Sequence, residues 1–319
     1  MKKCLITGIS GSGGSYLAEW ILKNHPEYEV WGISRWGSTK TNKNIIHIQD
    51  KLIMKECDLN DLSSIIRVLK ECIPDKIFNL AATANVAISF ITPLSVLQNN
   101  IFGTANLLEG VRIICPETIF QMCSTSEVYG TPLTMPIKEE HPLNPPNPYA
   151  VSKLAGEKLT YSYYKSYGIK AVISRAFCYL NPKRYDLFAT SFARQIVNIE
   201  NGNQDILYHG NLESIRTIMS IWEMCEAYWI ASEKCEYGVA YNIGGHEPIT
   251  VNEVLNKLIS KAKCSIKTKL KQSLLRPVDV TSQCPDVSKF FNKTGWKQKM
   301  SIDEGIGWLL NECRKDINK

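Results

Sequence analysis

The sequence predicts an α/β fold organised on a doubly wound parallel sheet, with a smaller C-terminal α/β body beside it. Three observations carry this expectation. A short apolar strand over residues 3–7 runs straight into Gly8-Ile9-Ser10-Gly11-Ser12-Gly13-Gly14 and then into a helix. Apolar strands and helical segments then alternate as far as about residue 175, which is the pattern of a parallel sheet with crossover helices. Finally, small and polar residues collect where the strands end, where an open parallel sheet gathers its ligands. Together these describe a Rossmann arrangement.

Taken in order, the glycine loop comes first. Glycines 8, 11 and 14 let the chain turn tightly, approach a pyrophosphate and pack the helix on the strand. Ser10, Ser12 and Gly13 complete the loop, and the free N–H groups of the helix face the phosphates. A second strand, 29–34, ends at Arg35. An NAD site usually has an acidic residue here for the ribose hydroxyls, and none is present. Arg35 pairs instead with a 2′-phosphate, so NADP is expected over NAD. The strand over 52–57 ends at Asp58 and Leu59, where Asp58 is placed to accept hydrogen bonds from adenine. After a helix over 62–72, the strand 76–80 delivers Leu80, Ala81 and Ala82, small enough at the last two positions for a cofactor to lie close. A long helix is expected over 97–113.

The next strand, 118–123, turns polar and small at Ser124-Thr125-Ser126-Glu127, so Thr125 and Glu127 face a site. Asn147 is a good N-cap and Pro148 suits the first helical position, so a helix opens there. Tyr149 and Lys153 are four apart and share one face of it. An ammonium near a phenol favours the phenolate and is expected to lower the tyrosine pKa, which makes Tyr149 an acid/base for an alcohol-to-ketone step. A Tyr-x-x-x-Lys by itself is an ordinary helical pair; the nucleotide-binding loop in the same body gives it meaning.

Beyond residue 175 the regularity loosens. Helices are expected over 187–200, 219–232, 252–262 and 302–312, a strand and turn over 238–245, a polar loop over 181–185, an exposed turn over 213–216 and a loop over 276–279. Arg184, Arg216 and Arg276 on those loops read together as a clamp for a nucleotide diphosphate. The expected division is residues 1–174 for the cofactor and 175–319 mainly for a nucleotide sugar, some segments of the latter returning to the first body. The composition, 44% hydrophobic and 21% charged, is that of a globular protein. A net charge of +6 without a dense Lys/Arg run suits a phosphate-bearing ligand and argues against nucleic acid. No apolar run is long enough to cross a membrane and no signal peptide precedes the first strand, so a cytoplasmic protein is expected. Eleven cysteines without a Cys-x-x-Cys pair read as reduced core residues, with no metal site.

Gly8-x-x-Gly11-x-x-Gly14, Ser124-Thr125-Ser126-Glu127-x-Tyr129-Gly130 and Tyr149-x-x-x-Lys153 together resemble the extended short-chain dehydrogenases/reductases. Ile6-Thr7-Gly8-Ile9-x-Gly11-x-x-Gly14-Ser15-Tyr16-Leu17-Ala18-Glu19 resembles, more narrowly, the GDP-mannose 4,6-dehydratases. The resemblance implies a GDP-sugar substrate, NADP, assembly through paired helices into a homodimer or homotetramer, and Thr125, Glu127, Tyr149 and Lys153 as the catalytic positions. It also sets Ser126, Tyr179 and the three arginines toward the substrate. Ser126 stands where dehydratases of dTDP-glucose carry an aspartate, which points to the GDP branch. There are departures: Phe177-Cys178-Tyr179 replaces a usual Phe-Asn-His, the basic pair survives as Lys183-Arg184, and Phe192-Ala193-Arg194-Gln195 and Leu275-Arg276-Pro277-Val278-Asp279 resemble the sister 4-keto-6-deoxy-mannose reductases. The sugar is therefore open among mannose, an N-acetylhexosamine and a heptose. A 4-reductase or 4-epimerase of the same fold, and a non-catalytic NADP sensor, are the rival readings.

Overall fold

The computed structural model describes residues 1–35, 42–275 and 280–317. Strand β1 (Lys2–Thr7) passes through the glycine loop into α1 (Ser12–Asn24), and β2 (Tyr28–Ser34) and β3 (Leu52–Glu56) follow. Helix α2 occupies Leu62–Cys72, capped by Asp61, whose carboxylate accepts from the Ser63 N–H. It leads to β4 (Lys76–Asn79). The long helix expected over 97–113 begins earlier and in pieces: α3 (Val86–Ile91), α4 (Pro93–Leu97), one π-turn over Gln98–Phe102, and α5 (Gly103–Ile114). Pro93 explains the break, because its ring excludes a helix from continuing through the preceding residue. Then come β5 (Ile119–Thr125), α6 (Pro148–Tyr167) and β6 (Ala171–Ala176).

These strands and a later one form a single seven-stranded sheet. After β7 (Tyr179–Leu180), α7 (Phe188–Glu200), β8 (Ile206–His209), β9 (Ile215–Thr217), β10 (Met219–Ser220) and α8 (Ile221–Lys234), the chain returns as β11 (Ala240–Ile243) beside β6. The order is β11-β6-β5-β4-β1-β2-β3, and every neighbouring pair is parallel. The expected division near residue 174 thus falls inside β6, and β11 belongs to the same sheet. Both faces are covered, as a parallel sheet requires. One is packed by α1 and α8 through Leu17, Ile21, Met224 and Trp229; the other by α2 and α5 through Ile65, Leu69, Leu107 and Val111.

The rest of the chain packs around a separate apolar cluster that includes Phe192, Ile196, Val254, Leu258, Ile306 and Leu309. It comprises α7, β12 (Pro248–Thr250), α9 (Val251–Ser260), β13 (Lys267–Leu270) and β14 (Ser282–Gln283), then, past α10 (Ser288–Thr294), whose Phe290 packs with α8 on the seven-stranded sheet, α11 (Ile302–Ile317). Residues 213–216, expected as an exposed turn, instead lead into β9, which pairs with β12 on one side and β14 on the other. Three residues of β-propensity were too short a signal to separate from a turn. No helix among the described residues is long and apolar enough to cross a membrane.

Candidate active site

Strands β1 and β4 are neighbours from which the chain winds outward in opposite directions, so a crevice opens above their carboxyl ends. Gly8 lines it with φ +67°, where a Cβ would stand 3.0 Å from the Ala81 Cα; at Gly14 a Cβ would run into the Gly8 carbonyl. Neither position admits a side chain. Below them the Thr7 hydroxyl donates to Asn79 Oδ1 at 2.9 Å and accepts from the Ala81 N–H at 2.9 Å, tying the two strand ends together. Leu80 lies against Gly13. The loop is held from outside as well: Asn44 Nδ2 donates to the Ser10 carbonyl at 2.9 Å and Asn181 Nδ2 to that of Ser12 at 3.3 Å. Gly11 serves as N-cap of α1.

The other expected cofactor residues surround the crevice unequally. Ala82 is half-buried, and Arg35 is exposed just past β2. Asp58 is exposed, but its Oδ1 already accepts from the backbone and side chain of Asn60 at 2.9 and 3.3 Å. The Leu59 carbonyl accepts from Asn106. Lys183 does not face outward with Arg184: its ammonium reaches Glu19 at 2.8 Å, Ser15 Oγ at 3.2 Å and the Asn44 carbonyl at 3.1 Å, and so braces α1.

Thr125 closes β5, and a single 3-10 turn, Ser126–Tyr129, carries Glu127. The Glu127 N–H donates to Thr125 Oγ1 at 3.3 Å. Helix α6 begins where expected: Asn147 Oδ1 accepts from the Ala150 N–H at 2.8 Å, and Pro148 takes the first position. Its first turns bury Tyr149 and Lys153, and Tyr149 stands beside Thr125. Burial raises Tyr149 to about 12, with Arg184 and Thr125 pulling it down. The expectation of a phenol lowered by Lys153 is corrected on two counts. Desolvation outweighs the nearby charges, and the cation acting most on Tyr149 is Arg184. Burial also lowers Lys153, against the pull of Cys123 and Glu157. Glu157 in turn forms a buried pair with Arg175 at 2.8 Å.

Of the substrate candidates, Tyr179 and Arg184 lie close together, and Arg184 acts electrostatically on both Tyr179 and Tyr149. Arg184 also reaches Asp186 at 3.1 Å and the Ala84 carbonyl at 2.8 Å. Arg216 is on β9 and not on an exposed turn; its guanidinium donates to the Ile215 and Val280 carbonyls at 2.8 and 2.7 Å. Ser126 is buried, with its hydroxyl turned to Gln283 at 3.2 Å. Arg276 lies outside the described residues. Among those described, no group of three or more His, Cys, Asp or Glu is placed to hold a metal ion.

Sequence reading missed two contacts of Glu127. Gln283 Nε2 donates to its Oε1 at 3.4 Å, and Asn147 Nδ2 to its Oε2 at 3.2 Å. Asn147 was legible as a cap. Gln283 is 156 residues away and belongs to no local pattern.

A seven-stranded parallel sheet with a glycine loop at its switch point and a Thr/Tyr pair above β5 defines an extended short-chain dehydrogenase/reductase. Within that class the chain belongs to the GDP-mannose 4,6 dehydratase family, whose model matches residues 5–308. It is 34% identical to the GDP-mannose 4,6-dehydratase of Yersinia enterocolitica, over 95% of this chain and 91% of that one. It is 32% identical to GDP-mannose 4,6 dehydratase 2 of Arabidopsis thaliana, over 98% of this chain and 86% of that one. Among solved structures it is similar to the UDP-glucuronic acid 4-epimerase of Bacillus cereus in complex with NAD, with 26% identity and a TM-score of 0.87 over 98% of this chain and 99% of that one. RMD from Pseudomonas aeruginosa, complexed with NADPH, shares the fold at 24% identity, with a TM-score of 0.86 over 99% of this chain and 100% of that one.

Proposed function

We propose that the chain is a GDP-sugar 4,6-dehydratase that uses NADP, with GDP-mannose as the first substrate to test. The observation that carries the reading is the meeting of Thr125, Tyr149 and Glu127 on adjacent elements above β5. A reductase or epimerase acting at C4 needs the first two; a carboxylate held beside them adds a base for a second position.

The crevice fits a dinucleotide because Gly8 and Gly14 leave no room for side chains where the loop passes Ala81. Gly8, Ser10, Gly11, Ser12, Gly13 and Gly14 would hold its pyrophosphate, Asp58 and Leu59 the adenine end, and Leu80, Ala81 and Ala82 the face above β4. Arg35 supports a 2′-phosphate, hence NADP over NAD. When bound, the nicotinamide supplies reversible hydride storage.

Tyr149 takes the proton of the C4 hydroxyl as that carbon is oxidised, and Thr125 hydrogen-bonds the same oxygen. Arg184 is the cation that most favours the phenolate, and Lys153 is buried one turn further along the same helix. The new C4 ketone makes the C5 hydrogen acidic, and Glu127 removes it as hydroxide is lost from C6. Glu127 or Tyr149 returns a proton to the departing oxygen, so water leaves. The proton left on the other of the two is then delivered to C5; with hydride returned at C6 from the bound nicotinamide, no net oxidation would result. Ser126, Tyr179, Arg184, Arg216 and Arg276 are assigned to the sugar-nucleotide side. The region before about 174, together with β11, holds the cofactor, and the remainder mainly the sugar nucleotide. The active unit is a homodimer or homotetramer.

Incubation with GDP-mannose and other GDP-hexoses tests the reading. A product lighter by one water is expected; a product of unchanged mass with inverted C4 would give the epimerase reading its place.

A further inference from the structure

We propose that Gln283 is a positioning residue that clamps the Glu127 carboxylate in the plane required for proton abstraction. The inference rests on reading Glu127 as the base of the elimination step. Gln283 comes from β14, whose pairing with β9 sets it beside Arg216, and its side chain is buried at 4% exposure. Its amide is engaged at both ends. The Ser126 hydroxyl donates to Gln283 Oε1 at 3.2 Å, and Gln283 Nε2 donates to Glu127 Oε1 at 3.4 Å.

The direction of that amide is decided by charge. If it turned over, its oxygen would face the Glu127 carboxylate, acceptor against acceptor, and the nitrogen would face Ser126. The Glu127 carboxylate therefore selects the arrangement seen, and the Ser126 hydroxyl locks it from behind. The second carboxylate oxygen is held in the same manner. Asn147 Nδ2 donates to Glu127 Oε2 at 3.2 Å, while Asn147 Oδ1 is committed to the Ala150 N–H at the start of α6. Each oxygen of the carboxylate thus meets one amide N–H whose own orientation is fixed by a further hydrogen bond. Each oxygen has a second lone pair free for the proton it takes up. A carboxylate on a one-turn segment has rotamer freedom that this clamp removes, and proton abstraction is sensitive to such misplacement.

Gln283→Met keeps length and apolar bulk but offers no N–H. In single turnover it is expected to reduce bound cofactor at the parental rate, while release of the dehydrated product slows about tenfold or more. KM for the GDP-sugar is unchanged. A merely structural role would lower both half-reactions together. Ser126→Ala removes the lock behind the amide, loosens it and gives a smaller loss in the same direction; the double variant is no slower than Gln283→Met, because Ser126 acts through Gln283. Equal slowing of both half-reactions, or multiplying losses in the double variant, overturns the proposal.

A crystal structure of Gln283→Met gives a readout independent of turnover: the Glu127 carboxylate is expected in more than one rotamer. A carboxylate unmoved from its parental position overturns the clamp even if activity falls. Conversely, if the parent dehydrates no GDP-hexose while the carboxylate is released in Gln283→Met, the clamp stands and the dehydratase reading fails. Should Gln283→Met not fold, Ser126→Ala carries the same two measurements.

Discussion

Tyr149 and Glu127 both stand beside Thr125 yet have separable tasks. Tyr149→Phe is expected to abolish both cofactor reduction and dehydration. Glu127→Gln keeps the shape but cannot accept a proton as a carboxylate does, so it should still reduce the cofactor once and release little product. Solvent deuterium should then fail to enter C5. Product at the parental rate from Glu127→Gln would remove the elimination mechanism. The pH dependence follows from the raised Tyr149, which burial pushes up to about 12. A phenol held that high is protonated at neutral pH, so its reactive fraction grows as pH rises. Single-turnover cofactor reduction should therefore climb across roughly pH 7 to 10. Arg184→Gln removes the largest downward pull and should move that climb to higher pH. Asn147 offers a third dissection, because one of its amide atoms caps α6 and the other holds Glu127. Asn147→Asp keeps a cap of equal quality, so urea unfolding should change by about 0.5 kcal/mol or less. Its negative charge beside Glu127 should nonetheless slow product release.

The element that carries most of the site is α6, and its far side is anchored by charge. Glu157 on α6 accepts three hydrogen bonds from Arg175 on β6, at 2.8 to 3.2 Å, and a fourth from Ser124 on β5. Arg175 also reaches the Tyr129 hydroxyl at 2.8 Å. The pair thus joins α6, β5, β6 and the turn of Glu127, almost without access to water. Removing one partner leaves an unpaired buried charge, which costs about 3–5 kcal/mol. Glu157→Ala should lose that much in chemical denaturation, and Glu157→Leu/Arg175→Met markedly less than the two single losses added. A loss in Glu157→Ala no greater than that of a surface substitution would show that the pair is not a stabilising anchor.

At the scale of the whole molecule, the two faces of the sheet are filled but the outer surface of the central helices is not entirely polar. Phe102, Ile113, Val151 and Tyr161, next to or within α5 and α6, are 42% to 60% exposed. Exposed apolar side chains on these helices are the basis for proposing assembly through paired helices. Light scattering is expected to give a dimer or tetramer, and Phe102→Glu to shift it toward monomer. A parent chain that scatters as a monomer at micromolar concentration would remove the assembly proposal. Cofactor choice is the other whole-molecule property, since it joins the β2 end to the crevice above β1. Arg35→Asp should move preference from NADP toward NAD. Equal affinity for both before and after would sink the assignment.

How much was legible in the chain follows the range of the forces involved. The glycine loop, the cap of α6 and the Tyr149/Lys153 spacing are written in contiguous residues, because turn geometry and helix periodicity are local constraints. The parallel order could be anticipated from alternating strands and helices, since short right-handed crossovers leave few alternatives. The short strands β7, β9 and β14 were not legible, because two or three residues carry no period and owe their form to partners far along the chain. The titration of Tyr149 was misread for a related reason: helix spacing shows a neighbouring ammonium but not the depth of burial that overrides it. So it is with Gln283. Nothing around residue 283 announces a carboxylate partner, and only the packing of the C-terminal strands against the β5 end brings that amide to Glu127.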